Sequence, residues 1–325
     1  MNPKHIILTL LLMLCPIGMA AQSTITRNKP KPAVTKPKPA AKPKPKAKTK
    51  PAPRRNSTHH SGSTNSTSNI NSTSSINSTS STSSTSSTSS TTSLSAELNK
   101  LINNMVYVSG GTFTMGGTSE QGSDVYDKEK PTHNVTLSSY YICKYEVTQA
   151  LWRAVMGSNP SHFEGDNLPV ECVSWNDCQT FIKRLNSYTG RDFRLPTEAE
   201  WEFAARGGNY SRHYKYSGSN YISDVAWYSD NSGNRTHPVG TKQANELGLY
   251  DMSGNVWEWC GDWYGSYSSY SQNDPTGPNS GSCRVLRGGG WDGSVRGCRS
   301  SSRRSDNAPG YRDNGLGLRL VLSQL

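Results

Sequence analysis

The segment "PTEAEWEFAARGG", residues 196–208, carries the strongest local signal for the fold of this chain. Thr197 can cap a helix with its hydroxyl, and Glu200, three residues on, completes a capping box. Trp201 then falls on the inward face, and Gly207 can end the helix. The segment therefore predicts a short helix that contributes side chains to a core.

Two further segments are predicted to be helices on the same grounds. "EVTQALWRAVMG" (146–157) can begin at Thr148, and "SWNDCQTFIKRLNSYTG" (174–190) can begin at Ser174. Asp177 lies at the capping-box position of the second helix. In both segments apolar residues recur at helical spacing, and a glycine follows as terminator.

Short strands and long loops are predicted for the remainder. "MVYVSGGTFTMG" (105–116) has the pattern of a hairpin with strands around Val106 and Phe113. The loop 265–282 exceeds the usual length for a compact domain. Other strands are predicted in "HNVTLSSYYICKYEVT" (133–148), "RVLRGG" (284–289) and "GLGLRLVL" (315–322).

Residues 1–21 have the features of a secretory signal peptide. Lys4 precedes an apolar run from Ile6 to about Leu14, and small residues around Ala20 suit cleavage. The run is far shorter than the roughly 20 residues that a membrane-spanning helix needs. We therefore expect an exported protein, secreted, periplasmic or at the cell surface, that does not span the membrane.

Two low-complexity segments follow. Residues 22–55 alternate lysine with proline, which favours an extended stalk because proline lacks an amide hydrogen and lysines repel one another. Residues 56–95 are almost wholly Ser, Thr and Asn and cannot bury enough apolar surface to offset chain entropy. We expect both to be disordered, and residues 96–325 to form one folded domain.

The positive charge of the chain belongs to its N-terminal part. Residues 1–60 hold 13 of the 35 Lys and Arg residues and no acid, so the remainder sets 22 bases against all 24 acids. The stalk is either a solvated spacer or a segment that adheres to an anionic surface. Because the folded part is not basic, we expect no nucleic-acid partner.

Loss of the signal peptide removes Cys15 and leaves six cysteines. An even number in an exported chain is compatible with disulfides but does not select a pairing. No Cys/His spacing is typical of zinc. The six are Cys143, Cys172, Cys178, Cys260, Cys283 and Cys298.

Ordered motifs connect these segments to a known family. They are "VYVSGGTFTMG", "EVTQALWRAVMG", "PVECVSWNDCQTFI", "RLPTEAEWEFAARGG", "GLYDMSGNVWEWCGDWY", "RVLRGGGW" and "GLGLRLV". In this order, over residues 102–323, the chain resembles the formylglycine-generating enzyme family, also called sulfatase-modifying factors. The resemblance implies an α+β, loop-rich fold related to C-type lectins.

The resemblance also implies a test for copper. The family's name-giving members oxidise a sulfatase cysteine to formylglycine, using oxygen and a copper ion held by two cysteines that follow a glycine-rich turn. Here the turn is "RGGGW" (287–291), and Gly290 takes the place of a serine that helps at the oxygen site. Only Cys298 follows, either as the second ligand or as a later structural cysteine. One thiolate alone is a poor binding site for Cu(I).

In the family the loop "SGNVWEWCGDW" (253–263) binds calcium, which suits hard oxygen ligands. The resemblance implies Asn255, Val256 and Glu258 as ligands, with Gly254 as a carbonyl donor. The alternative is that Glu258 pairs with an arginine while the tryptophans fill the core. A second calcium site could use Asp224 or Asp230 of "SDVAWYSDNSGN"; the alternative there is an Asx-rich turn.

A pocket rim is predicted around the glycine-rich turn, able to clasp a peptide or an anionic group. The alternative interpretation is that its arginines form salt bridges with acids of the domain, and that Trp291 is buried packing. The rim residues are Arg287, Gly290, Trp291, Arg299 and Arg303.

The sequence favours an exported binding or envelope protein over an enzyme, without deciding between them. Its partner would be a protein, a peptide or a component of the cell envelope. The alternative is a copper- and oxygen-dependent formylglycine-generating oxidase that uses Cys298 with a distant partner.

Overall fold

The computed structural model describes residues 84–305 and 307–324. The predicted signal peptide (1–21), the Lys/Pro stalk (22–55) and residues 56–83 of the predicted linker lie outside the described residues.

A long helix opens the described part and corrects the predicted linker. Residues 84–95 are helical rather than disordered, because they belong to a helix in which Leu94, Leu98 and Leu101 pack on the core. The helices are α1 (Ser84–Asn103), α2 (Gln149–Met156), α3 (Trp175–Thr189), α4 (Glu198–Ala205) and α5 (Ile222–Val225).

The helix termini confirm the predicted caps. The Thr148 hydroxyl accepts from the amide of Leu151 in α2. Ser174 with Asp177 closes a capping box on α3, and Thr197 does so with Glu200 on α4. Each box satisfies amide groups that the first helical turn leaves without partners. These ends are determined by residues within one turn of each other.

The strands are short and form three sheets in the described part of the chain. The sheet orders are β1-β4-β11-β5, β10-β6-β8-β9 and β2-β3-β7. Short strands in mixed sheets, helices and long loops confirm the α+β prediction. The strands are β1 (Met105–Val108), β2 (Gly111–Met115), β3 (His133–Leu137), β4 (Tyr140–Cys143), β5 (Phe193–Arg194), β6 (Trp257–Trp263), β7 (Gln272–Asn273), β8 (Arg284–Arg287), β9 (Arg303–Arg304), β10 (Leu316–Gly317) and β11 (Val321–Leu322).

The predicted hairpin over residues 105–116 is wrong. Strand β1 pairs with β4 and β2 pairs with β3, so residues 105–115 run antiparallel to residues 133–143 and pass with them from one sheet to another. Between the two sheets the amide of Gly110 donates to the Ser139 hydroxyl at 2.9 Å. A Cβ at Gly110 would lie 2.4 Å from the carbonyl oxygen of Leu137, so only glycine permits this approach.

Helix α4 lies at the centre of the domain, with all eight of its residues buried. Five of its residues join one hydrophobic cluster with strands β3, β4 and β8: Ala199, Trp201, Phe203, Ala204 and Ala205. Strands β6 and β8 pair antiparallel, and the glycine-rich turn leaves the end of β8. Within the described residues, no helix combines the length and apolar character that crossing a bilayer requires.

Candidate functional site

The glycine-rich turn lies directly against Cys298. Gly288 and Gly289 have φ of +97° and +82°, which residues with side chains rarely adopt. A Cβ at Gly289 would lie 2.6 Å from the Cys298 sulfur, and one at Gly290 would lie 3.2 Å from the Trp257 ring. These glycines therefore allow a close approach of the turn to the residues beneath it.

Cys298 is sealed inside the protein. Its side chain is fully buried in a cluster that includes Tyr216, Val225 and Tyr228 but no other cysteine. Burial raises the pKa of its thiol to about 12, and the charge of Asp292 acts in the same direction. Each cysteine of the described chain is a free thiol. The donors at this turn do not fit Cu(I), which binds paired, deprotonated sulfurs.

Arg287, at the start of the turn, points into the core. Its Nε donates to Glu198 at 3.0 Å and its Nη2 donates to Glu202. Its Nη1 donates to the carbonyl oxygens of Ser300 and Ser302, at 3.1 Å each. The guanidinium thus ties residues 287–302, which we call the turn segment, to helix α4.

Arg303 grips the same carboxylate from strand β9. Its Nε donates to Glu198 Oε1 at 2.7 Å and its Nη2 donates to Oε2 at 2.6 Å. Burial raises the pKa of the Glu198 carboxyl, but the charges of Arg303 and Arg287 outweigh it and hold that pKa below its usual value. Glu198 therefore compensates two buried guanidinium groups.

Arg299 has a buried carboxylate of its own. Its two Nη atoms donate to Glu129 at 2.8 and 2.6 Å, and the Ser301 hydroxyl donates to the same carboxylate. Arg287 and Arg299 are fully buried, so the predicted rim is corrected: these two arginines are internal supports. Arg303 is nearly as buried, although part of it lines a pocket. The alternative interpretation, salt bridges to the acids of the domain, matches this geometry.

The other two predicted rim residues have separate surroundings. Gly290 is buried in the turn. Trp291 is half-buried; its Nε1 donates to the Asn314 carbonyl at 2.9 Å, and its ring meets Phe163 edge-on at 5.5 Å. Trp291 therefore closes the turn against its neighbours.

Beside the turn lies a cavity of about 290 Å³, which we call the turn pocket. Its walls come from the turn segment, including Ser294 and Gly297, from strand β9, and from Trp257. A Cβ at Gly297 would lie 3.6 Å from the Trp257 ring. Sequence reasoning missed Trp257 as a pocket residue. Residues 257 and 259 lie on the same face of strand β6, and Trp259 is fully buried, so the pattern indicates core packing for both.

The predicted calcium ligands lie in the loop before β6 and at the start of β6, and their side chains have other partners. Glu258 accepts from Arg319 Nη2 at 2.7 Å and from Trp201 Nε1 at 2.7 Å. The Asn255 side chain donates to Glu146 at 2.6 Å. A cation at Glu258 would have to displace a buried guanidinium.

The backbone of the same loop is also engaged. The amide of Gly254 donates to the Gly288 carbonyl at 2.8 Å, and the amide of Val256 donates to Glu146 at 3.1 Å, but these bonds do not occupy the carbonyl oxygens that a calcium ion would bind. The carbonyl of Asn255 accepts from Trp291 at 2.7 Å. As arranged, the side chains of the predicted set do not fit a calcium ion, and calcium stays a prediction of the resemblance.

The second predicted calcium site has the geometry of a polar turn. Asp224 accepts from the Ser219 hydroxyl at 3.0 Å, and the exposed Asp230 accepts from the Ser229 hydroxyl at 2.8 Å. In the described part of the chain, no three or more His, Cys, Asp or Glu side chains are placed to hold a metal ion. This site too stays a prediction.

Comparison with protein families and curated proteins gives consistent matches. The model of the sulfatase-modifying factor enzyme 1-like domain matches residues 91–324. The chaperone protein LppX of Paenibacillus barcinonensis is 38% identical, over 68% of this chain and 90% of its own length. The formylglycine-generating enzyme of Streptomyces coelicolor is 36% identical, over 53% of this chain and 58% of its own length.

Solved structures show the same fold. Treponema denticola variable protein 1 superposes with a TM-score of 0.62 and 36% identity, covering 67% of this chain and 94% of its own. PvdO from Pseudomonas aeruginosa superposes with a TM-score of 0.57 and 27% identity, with the same coverage of 67% and 94%. These likenesses confirm the resemblance inferred from the ordered motifs.

Replacing Glu198 by Gln should destabilise the protein by about 3–5 kcal/mol, because it leaves two buried guanidinium groups short of a counter-charge. Urea unfolding monitored by tryptophan fluorescence measures the change. Asp166→Asn is the matched control: it breaks the exposed pair with Arg153, which should cost no more than about 1 kcal/mol. Equal losses in both variants would show that the Glu198 pairs are not a structural support.

Chelation with EDTA should leave the melting temperature of the purified protein unchanged, because Arg319 already balances the charge of Glu258. Differential scanning fluorimetry with EDTA, with added Ca²⁺ and with added Mg²⁺ measures this. A fall on chelation that Ca²⁺ alone reverses would establish the calcium site that the resemblance implies.

Proposed function

Because the chain belongs to the family of sulfatase-modifying factor enzyme 1-like domains, we propose that it binds a polypeptide partner at the turn pocket rather than oxidising a thiol with copper. One observation carries the proposal. The single cysteine of the glycine-rich turn, Cys298, is buried with a thiol pKa raised to about 12, so the turn presents no thiolate to a metal or a substrate.

The turn pocket has the size and chemistry to receive one polar side chain of a partner. At about 290 Å³ it is at the small end of ligand sites. Its lining combines the Trp257 ring with the hydroxyl-bearing Ser294 and Ser302. This composition favours an amide or hydroxyl side chain that can both donate and accept hydrogen bonds.

The surface around the pocket offers further contacts. Asp292 and Ser294 are exposed, Val295 is 37% exposed, and all three lie on the turn segment. The buried arginine pairs beneath them hold the segment in place, so a partner would meet a preformed surface with little ordering cost. The likeness to a protein named as a chaperone, over most of that protein's length, supports a polypeptide as the partner.

The second candidate function is the formylglycine-generating oxidase. The 36% identity to an enzyme of that name favours it. It would require the Cys298 sulfur to leave its buried cluster and to meet a second thiolate. In the described geometry, a Cβ placed at Gly289 would already meet that sulfur, which shows how tightly the turn covers it.

We also propose that the protein acts outside the cytoplasm. The N-terminal signal pattern of residues 1–21 supports export, and the lysine-rich residues 22–55 support attachment to an anionic envelope surface.

Filling the turn pocket should abolish polypeptide binding. We expect the full-length protein to slow the aggregation of reduced insulin, measured by light scattering, and Ser294→Trp to lose this effect because the indole occupies the pocket. Ser187→Trp is the matched control, since Ser187 is exposed on helix α3. It should behave as wild type.

The same preparation should form no formylglycine when incubated with Cu(I), oxygen and a peptide containing Cys-x-Pro-x-Arg. Aldehyde trapping followed by mass spectrometry measures the product. Formylglycine that is lost in Cys298→Ala would refute the binding proposal and establish the oxidase.

A further inference from the structure

A second cavity lies under the long loop that follows strand β6. It has a volume of about 510 Å³, within the range typical of small-molecule sites. Residues of the segment 265–278 form most of its lining. The other lining residues are Met115, His133, Glu198, Ala199, Asp262, Trp263 and Arg303. We call it the loop pocket.

The loop is held in place along its length. Strand β7 pairs with β3, and Asp274 accepts from the amide and the hydroxyl of Ser138 at 2.7 Å each. Gly277, with φ of +72°, approaches Asp262 so closely that a Cβ would lie 2.9 Å from the Asp262 Cβ. The loop pocket is therefore a preformed cavity.

Several neutral polar side chains in the loop pocket lack protein partners. Among the described residues, nothing hydrogen-bonds to the side chains of Ser266, Gln272, Asn273 or Thr276, all of which line the cavity. Two amides and two hydroxyls thus offer both donors and acceptors to a ligand.

Asp262 adds a buried carboxyl group of which one oxygen accepts a hydrogen bond from the protein. It is 4% exposed, and its Oδ2 accepts from the amide of Glu198 at 2.8 Å. Its Oδ1 has no hydrogen-bond donor among the described residues, and the residue lines the cavity. Burial raises the pKa of Asp262 to about 7, and the charges of Glu198 and Glu200 act in the same direction against that of Arg303.

The remaining charges of the loop pocket are compensated. Glu198 is bound by Arg287 and Arg303, and these pairs leave no guanidinium without a carboxylate. An anionic ligand would find no unpaired cation in the described lining. A cationic ligand would find only a carboxyl that is ionised in part at neutral pH. The lining therefore favours an uncharged ligand.

Aromatic and apolar side chains form another part of the lining. The Tyr267 ring contacts the Arg303 guanidinium, 4.1 Å from its centroid, and the His133 ring, at 4.9 Å between centroids. The Arg284 guanidinium lies 3.5 Å from the centroid of the Trp263 ring. A ligand in the loop pocket would meet both aromatic surfaces and neutral hydrogen-bonding groups.

We propose that the loop pocket binds a neutral saccharide, with its hydroxyls bonded to Gln272, Asn273, Thr276 and Asp262 and its apolar ring face toward Met115 and Trp263. A sugar ring combines an apolar face with a dense rim of groups that both donate and accept, which matches a lining that mixes aromatic and neutral polar side chains. The site requires no metal ion. It is separate from the turn pocket, so either proposal can fail alone, although Arg303 contributes to both linings.

The test is a glycan array probed with the fluorescently labelled full-length protein at pH 7 in the presence of EDTA. We expect neutral glycans to bind and sulfated, sialylated or amine-bearing glycans to bind more weakly. Titration calorimetry with the best neutral oligosaccharide then gives the dissociation constant. Binding confined to charged glycans, or no binding by any neutral glycan, would overturn the proposal.

Variants assign the binding to the loop pocket. Gln272→Ala combined with Asn273→Ala should weaken the affinity by at least about tenfold, because several neutral hydrogen bonds are lost. Gln243→Ala, at an exposed position outside the pocket, should bind as wild type, and thermal melting should show all variants folded. Unchanged affinity in the folded double variant would place the saccharide elsewhere and refute the assignment.

Discussion

A single buried carboxylate organises this domain. Glu198, at the first turn of helix α4, receives the guanidinium groups of Arg287 from strand β8 and Arg303 from strand β9. Isolated charges are unstable in a protein interior, so Arg303 depends on this acid, Arg287 shares it with Glu202, and the acid depends on both arginines. The pairs fix the sheet that carries the glycine-rich turn against helix α4, and Arg303 also contributes to the linings of both the turn pocket and the loop pocket.

The buried pairs also explain what the turn presents to solvent. Because Arg287 and Arg299 are committed to carboxylates, the turn segment shows small polar residues and a half-buried Trp291. Gly289 covers the Cys298 sulfur beneath the turn. Burial there raises the pKa of the thiol, which favours its protonated form. The ionic scaffold itself involves carboxylates and guanidinium groups and does not depend on the thiols.

Local features were predictable from the sequence, and long-range choices were not. The caps at Thr148, Ser174 and Thr197 were predicted because each depends on neighbours within one turn. The predicted hairpin over 105–116 was wrong because β1 pairs with β4, which lies more than thirty residues further along the chain. The local pattern around Gly110 does not indicate its contact with Ser139. Sequence position could not report the burial of the arginines. One usable signal for buried ion pairs lies in helix α4, where glutamates alternate with Ala, Trp and Phe over residues 198–203.

The central claim is that the turn closes over the Cys298 sulfur. It is tested most directly by alkylating the native full-length protein with iodoacetamide and following each cysteine by peptide mass spectrometry. Cys283, which is half-buried, should react first, and Cys298 should react only at the rate of global unfolding. Alkylation of Cys298 in the folded protein as fast as Cys283 would show an open thiol and contradict the account.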